Sequence, residues 1–529
     1  MFDYALLGGT VVDGTCQKPY EATVCLKDGI IADIVKTKDV SARHCIDAAG
    51  LIVAPGFIDI HSHSDARYLM PGEALSKVYQ GVTLELVGNC GISLIPTMPH
   101  NQLEVLGHAA QMLHMEDSTK IIGVHDVASY GAAFQENRPP VHLAALIGHG
   151  TLRACAMGFK MRPPTPYEMD QMQVLLANLL RQGAFGLSLG LIYPPGSFCD
   201  TEELVALSRV VKDNGGMVTV HMRNENKRVF EAVEEMLLVA RTTGVHMHLS
   251  HLKLMGIEQW GKAELLLEKI GKARAEGVHV TADQYPYSAS STSLSALLPN
   301  WAQEGGVQAM QARLQDKDMK GRLLKDVRLE IKSRGGPERV VVADTRGRIP
   351  DIEGMNLKLL SEAWNTDPEE AALRVLAACP DGTGGIFHAM SSEDVQTIMR
   401  KMEISVGSDG TAYPLDPSAV LEKPHCRNYG TFPRMLQTVR EHQLMPIEDA
   451  VYKMTGLAAK TMGLKSKGTL TVGQDADITV FDWETIRDCS TYSQPVARPE
   501  GIRHVFVDGL PAVLNGEATH HWNGRFIHR

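Results

Sequence analysis

The sequence predicts an α/β protein: a TIM-like (β/α)8 barrel, a small β-sandwich built from both chain ends, and a subdomain inserted between barrel strands 7 and 8. Two observations predict it. From residue 56 onward the chain carries eight short apolar runs that end in glycine or polar residues: GFIDIHSH, VTLELVGNCG, HLAALIGHG, AFGLSLGLIYPPG, GMVTVHMRNE, VHMHLSHLK, VHVTADQYPY and EISVGSDG. Runs apolar on both faces are what strands buried in a parallel sheet show, and eight strand-then-helix units close naturally into a barrel. The second observation is a β-rich rhythm that opens the chain and returns near its end.

In order, residues 1–55 alternate strands and turns (YALLGGTVVDG, ATVCLKDGIIADIV, HCIDAAGLIVAPG), and no helix of useful length fits there. Residues 56–465 make the barrel, with helices expected at 166–182, 201–213 and 227–242 from apolar residues at 3 and 4 spacing. The seventh and eighth runs lie too far apart for an ordinary barrel connection. An inserted subdomain at about 292–385 is therefore expected, with residues 306–334 helical then β, RVVVADTRG a strand, 367–379 a helix and GGIFHAM a strand. Residues 466–529 (KGTLTVGQDADITVFD, IRHVFVDGLPAVLNG) resume the opening rhythm and are expected to join residues 1–55 in one sheet domain.

The chain has 529 residues, 44% hydrophobic and 22% charged, with a mean hydropathy of -0.11. That balance excludes disordered and fibrous classes. Fifty-two Lys+Arg face 62 Asp+Glu, a formal charge of -10 with no basic cluster, which argues against nucleic acid as a partner. No apolar run reaches the roughly eighteen residues of a membrane span, and MFDYALLGGTVVDG lacks a secretory pattern. A cytoplasmic protein without a membrane partner is expected. The nine cysteines are odd in number and scattered, so reduced thiols are expected. The oligomeric state is left open.

Several chemically active residues fall where a strand hands over to a loop. His61 and His63 in DIHSH lie two apart, so in extended chain they point to the same side and can share a metal ion. Cys90 ends the second run, His221 the fifth, His251 the sixth and Asp409 the eighth. Each alone has a bland reading as a buried thiol, a hydrogen-bonded imidazole or a helix cap. Together, on the rim where barrel loops converge, imidazoles, a thiolate and a carboxylate are a zinc-type set. His246 and His248 share one alternation phase that His251 has left, so they are expected to pack or hydrogen-bond. His388 belongs to the insertion, and His149 is a candidate outer support.

PGFIDIHSHSD, GNCG, LSLGLIYPPG, VHMRNE, LSHLK, DQYPYSASST, GSDG and HCRNYGTFPRML resemble the N-acyl-D-amino-acid deacylases (D-aminoacylases) of the amidohydrolase superfamily, over nearly the whole chain. The resemblance implies zinc-dependent hydrolysis of the amide bond of an N-acyl-D-amino acid, giving a carboxylate and a free D-amino acid. It places one tightly bound Zn2+ on Cys90, His221 and His251, and a second, weaker metal position on His61, His63 and Asp409. Cys90 then stands where relatives use a carboxylated lysine or glutamate, in keeping with a fourth run, AFGLSLGL, without lysine; Lys160 lies upstream of it. Zinc lowers the pKa of bound water to roughly 7 and polarises a carbonyl, and Asp409 is the natural general base beside it.

Arg427, Lys253, Tyr193, Tyr285 and Ser291 match the family's carboxylate- and intermediate-binding positions. Arg427 leads because its planar fork pairs bidentately with a carboxylate. Relatives read HPR where this chain reads HCR, with Cys426, which questions the rigidity of the backbone before Arg427. One competing reading is a hydantoinase or dihydropyrimidinase, but those depend on the missing fourth-strand lysine. A non-catalytic binding protein on the same fold is the other, and it would have lost ligands that are all present here. No single residue marks a cation for an acidic substrate side chain.

Overall fold

The computed structural model describes residues 1–70, 72–113, 118–349, 351–379, 382–420 and 422–529. Eight segments run parallel, in the order of the eight runs. One arc holds β1 (Phe57–Asp59), β2 (Val82–Val87) and β3 (His142–Ala145). Past Leu146 the chain continues as Ile147–Gly148, which starts a second arc of β4 (Gly186–Gly190), β5 (Met217–His221), β6 (His246–Leu249), β7 (Val280–Gln284) and β8 (Ile404–Val406). The arcs meet twice. Leu146 N–H donates to Val87 O at 2.9 Å, while at the other side Asp409 N–H donates to His61 O and His63 N–H to Gly410 O, both at 2.8 Å. The ladders thus form an α/β fold drawn as two arcs rather than one unbroken ring.

Every residue of β2, β4 and β5 is buried, as strands covered on both faces must be. The expected helices lie at Pro166–Arg181, Thr201–Asp213 and Val229–Thr243. The first opens on a capping box between Thr165 and Glu168 with proline at its start. The second buries Leu204, Leu207 and Val211, the stripe its spacing promised.

Both chain ends build one nine-stranded sheet, in which Ile52–Pro55 pairs antiparallel with Ile478–Phe481. Between β7 and β8, Ser290–Ser293, Val340–Asp344 and Gly384–Phe387 form an antiparallel three-stranded sheet. Residues 306–334 depart from the expected helix-then-strand. They are two helices, Gly306–Gln315 and Lys317–Ser333, because Leu323, Val327 and Ile331 recur every fourth residue and are buried together. The other expected insertion helix is Pro368–Ala378. Among the described residues, no helix is long and apolar enough to cross a membrane.

A buried lysine ties β1, β2 and the loop after β8 together. Lys77 Nζ donates to Asp59 Oδ2 at 2.7 Å and Ser408 Oγ at 2.6 Å, and lies 3.4 Å from Glu85 Oε1. All four side chains are buried. Lys77→Met should strand two buried carboxylates and cost about 3–5 kcal/mol. Urea unfolding measures this, and a loss below about 1 kcal/mol would mean that the charges rearrange instead.

Candidate metal centre

The ends of β1, β2, β5, β6 and β8 bring the six expected donors into two groups that share Cys90. His61, His63, Cys90 and Asp409 form one, and Cys90, His221 and His251 the other, with donor atoms within 4.8 Å of one another in each. Cys90 Sγ lies 3.3 Å from His61 Nε2 and 3.4 Å from His251 Nε2. His251 Nε2 is 2.9 Å from His221 Nδ1, and Asp409 Oδ1 is 3.1 Å from His63 Nε2 and 3.4 Å from His61 Nε2. The sharing of Cys90 is new relative to the expected division, which gave it to one position alone.

Three of these residues hold left-handed backbone: Cys90 at φ 53°, His251 at φ 38° and Asp409 at φ 51°. Such conformations cost roughly 1–3 kcal/mol each and persist only where the surroundings enforce them. For Cys90 the enforcement is visible. Gly91 N–H donates to Ser188 Oγ in β4 at 3.1 Å, and a Cβ on Gly190 would meet Cys90 O at 1.9 Å, so the turn after β2 seats directly on β4.

Carboxylates meet the outward nitrogens of the rings. Asp283 Oδ2 lies 3.2 Å from His61 Nδ1 and 2.9 Å from His248 Nε2, and Asp283 Oδ1 accepts from His251 N–H at 2.9 Å. Glu225 Oε1 lies 3.1 Å from His251 Nδ1 and 2.6 Å from Lys253 Nζ, with Oε2 3.6 Å from His221 Nε2. Burial pushes both acids up, but His61 and His248 outweigh it at Asp283, as Lys253 and the two histidines do at Glu225, holding both below the usual carboxylate range. Burial likewise raises the Cys90 thiol, and the His61 and His251 imidazoles outweigh it and hold the thiol well below its ordinary value. Asp409 is buried too, yet Arg427 and His251 keep it ionised.

A cavity of about 480 Å³ opens onto this centre. His63, Cys90, His221 and Asp409 line it, together with Tyr193, Lys253, Ser291 and Arg427; Tyr285 lies behind that surface. Arg427 Nη1 sits 2.7 Å from Asp409 Oδ2, and Nη2 donates to Ser291 O at 3.0 Å. Tyr193 OH is 2.7 Å from Thr292 Oγ1; the buried Tyr285 hydroxyl has no hydrogen-bond partner among the described residues, and its ring lies 5.1 Å from the Arg427 guanidinium and 5.7 Å from Lys253 Nζ. Cys426 precedes Arg427 with φ -58°, the angle a proline would impose, so cysteine here holds a backbone angle that a proline would also take.

A model of the amidohydrolase family matches residues 44–513. The chain belongs to that family. Among amidohydrolases, the N-acyl-D-glutamate deacylase of Alcaligenes xylosoxydans xylosoxydans is 36% identical over 529 residues, covering 100% of this chain and 96% of its own. The crystal structure of the N-acyl-D-glutamate deacylase of Bordetella bronchiseptica, complexed with zinc and a phosphonate mimic of the tetrahedral intermediate, is 33% identical with a TM-score of 0.83. A D-aminoacylase structure concerned with one-metal activation and second-metal attenuation of a binuclear centre is 32% identical, with a TM-score of 0.82. Both structures cover this chain fully and are themselves fully covered.

Asp283 and Glu225 escape a reading of the sequence that looks for ligands. Their signal is positional: each is an acid at or just past the end of an apolar run, ADQ in the seventh and RNE in the fifth. His248 hydrogen-bonds to Thr281 and Asp283, and His246 stacks on His279 at 3.8 Å, as their shared phase suggested. His149 turns to Glu203 at 2.7 Å, and His388 packs on Tyr492, so neither joins the donors. Gly190→Ala should push the Cys90 turn off β4 at a cost of about 1–3 kcal/mol. Guanidinium unfolding with the rate of Cys90 labelling tests it, and wild-type values for both would refute the close fit.

Proposed function

We propose that this amidohydrolase is a zinc-dependent N-acyl-D-amino-acid deacylase, cleaving a linear amide to a carboxylate and a free D-amino acid. The observation that carries this reading is the pair of donor groups sharing Cys90 at the floor of a cavity whose wall also holds Arg427 and Lys253. The 36% identical relative and the zinc- and phosphonate-bound structure support it. One thiolate with two imidazoles suits zinc and leaves a coordination position open, so Cys90, His221 and His251 would hold the tighter ion, and His61, His63 and Asp409 a weaker one. A zinc held there supplies Lewis acidity to the amide carbonyl and a nucleophilic water at neutral pH. Cys90 must remain a free thiol, which a reducing, cytoplasmic compartment favours.

The protein's own groups do the rest. Arg427 and Lys253 receive the substrate α-carboxylate, while Tyr193, Tyr285 and Ser291 line and back the place of the reacting amide. Asp409, ionised at neutral pH, accepts the proton of the attacking water and delivers it to the leaving amine. A carboxylate arriving at Arg427 competes with Asp409 for the same guanidinium. The pull that keeps Asp409 a weak base therefore relaxes when substrate is bound. A hydantoinase reading has less support, because β4 (GLSLG) offers no lysine. The terminal sheet (1–55 with 466–529) and the insertion (about 292–385) are proposed as units around the catalytic segment, 56–465.

Asp409→Asn keeps shape and should retain the tight zinc, while single-turnover deacylation falls about 10²- to 10⁴-fold. Zinc retained with a wild-type rate would exclude the proton role. Cys90→Ala should lose both metal and activity, and a full zinc complement in that variant would return Cys90 to an inert thiol. Arg427→Met should keep zinc and lower kcat/KM by about 2–4 kcal/mol, the scale of a lost buried charged contact. An unchanged kcat/KM would move the carboxylate to Lys253.

A further inference from the structure

β6 and β7 run side by side, with Met247 beside Val280, His248 beside Thr281 and Leu249 beside Ala282. Residues two apart on a strand share a face, so His246 and His248 of β6 lie on one side with Thr281 and Asp283 of β7. That face is turned toward β1, because Asp283 reaches past β8 to His61. Four contacts join these side chains into one line. His246 Nε2 is 2.8 Å from Thr281 Oγ1, Thr281 Oγ1 is 2.8 Å from His248 Nδ1, His248 Nε2 is 2.9 Å from Asp283 Oδ2, and that oxygen is 3.2 Å from His61 Nδ1. His246 and Thr281 are half-buried, while His248, Asp283 and His61 are buried. The line climbs from the start of β6 to the donor rim. Its acid sets the direction of its hydrogen bonds. An ionised carboxylate only accepts, so His248 Nε2 and His61 Nδ1 both turn a proton to Asp283 Oδ2, and His251 N–H donates to Oδ1 at 2.9 Å. His61 then presents its Nε2 lone pair toward Cys90 and Asp409. A neutral His248 carries its own lone pair on Nδ1, where the Thr281 hydroxyl donates, and the Thr281 oxygen takes the Nε2–H of His246. Burial, with His279 and His248 nearby, pulls His246 down to about 3, so that ring is neutral.

We propose that Thr281 and His248 are positioning residues: they hold the Asp283 carboxylate, and through it the ring of His61, in the orientation that a metal on His61, His63 and Asp409 requires. This rests on the division of the donors between two metal positions, and not on the deacylase reading. Without the Thr281 hydroxyl, His248 Nδ1 and His246 Nε2 both lose their partner, and the His248 ring is free to turn away from Asp283 Oδ2. The carboxylate that faces His61 would then lack the group that steers it from below. His61 belongs to one donor group and not to the other, so one metal position should feel the loss.

The test titrates zinc-loaded protein with a competing chelator and reads the affinity of each class of bound zinc. Thr281→Val keeps the shape of the side chain and deletes its hydroxyl. The weaker class should lose about 10- to 100-fold in affinity while the tighter class keeps its wild-type value. Thr281→Ser keeps the hydroxyl and gives up the methyl, so it should restore the weaker class, which a role in packing alone would not do. Wild-type affinities in Thr281→Val, or a Thr281→Ser protein as weak as Thr281→Val, would overturn the proposal. If Thr281→Val does not fold, Thr281→Ala is read in its place against the same outcomes. His61→Ala should abolish the weaker class. Should both classes survive there, or wild-type protein show one class alone, the proposal falls with the division of the donors. Hydrolysis enters none of these readings, so a protein that cleaves no N-acyl-D-amino acid would sink the deacylase reading alone.

Discussion

Where the end of β1 meets the end of β8, Asp409 donates its N–H to His61 O and His63 donates to Gly410 O, and these two bonds hold three of the six donors in register. Everything else at the site is set against that seam. Lys77 clamps it from beneath by gripping Asp59 of β1 and Ser408 beside Asp409. A buried ammonium is tolerable there because two carboxylates and a hydroxyl surround it, and removing the lysine leaves both carboxylates buried without their cation. The seam joins residues some 350 positions apart, so the site exists only when the parallel strands are all in place.

The centre concentrates charge among buried side chains, which is costly unless each group is answered. Cys90 and Asp409 on the donor side face imidazoles, and behind the imidazoles stand Asp283 and Glu225. At Asp283 this alternation of acid and ring holds His61 and His248 in one orientation, a prerequisite for binding a small ion with defined geometry. The same logic extends outward. Lys253 is held by Glu225 and Arg427 by Asp409, so these two cations of the cavity wall are placed by groups that also serve the centre.

Much of this was legible in the residues. Eight apolar runs predicted eight parallel segments in order, because strands buried on both faces cannot hide their composition. His61, His63, Cys90, His221, His251 and Asp409 stood out because each ends such a run. The outer carboxylates did not, since Glu225 and Asp283 carry no ligand spacing and acquire meaning only when β5, β6 and β7 lie side by side. The insertion was misread at residues 306–334 for a local reason. KDMKGRLLKDVRLEIKS is polar overall, and its narrow Leu323–Val327–Ile331 stripe at four-residue spacing fits helix rather than strand. Sharing of Cys90 between two donor groups was likewise invisible, because it depends on where Sγ points once φ is left-handed.

The absence of a lysine on β4 has a structural reason. Gly190 has no room for a Cβ, since Cys90 O would lie 1.9 Å away, and a Cβ on Gly186 would meet Met217 O at 1.8 Å. Ser188, between them, gives its hydroxyl to Gly88 O and accepts from Gly91 N–H, so it is committed to the turn that carries Cys90. β4 is thus given over to seating the β2 turn. A long side chain at position 188 or 190 and a cysteine turn docked there exclude one another. Gly190 and the backbone of the Cys90 turn are therefore one structural choice, because any side chain at Gly190 would strike the Cys90 carbonyl that seats there.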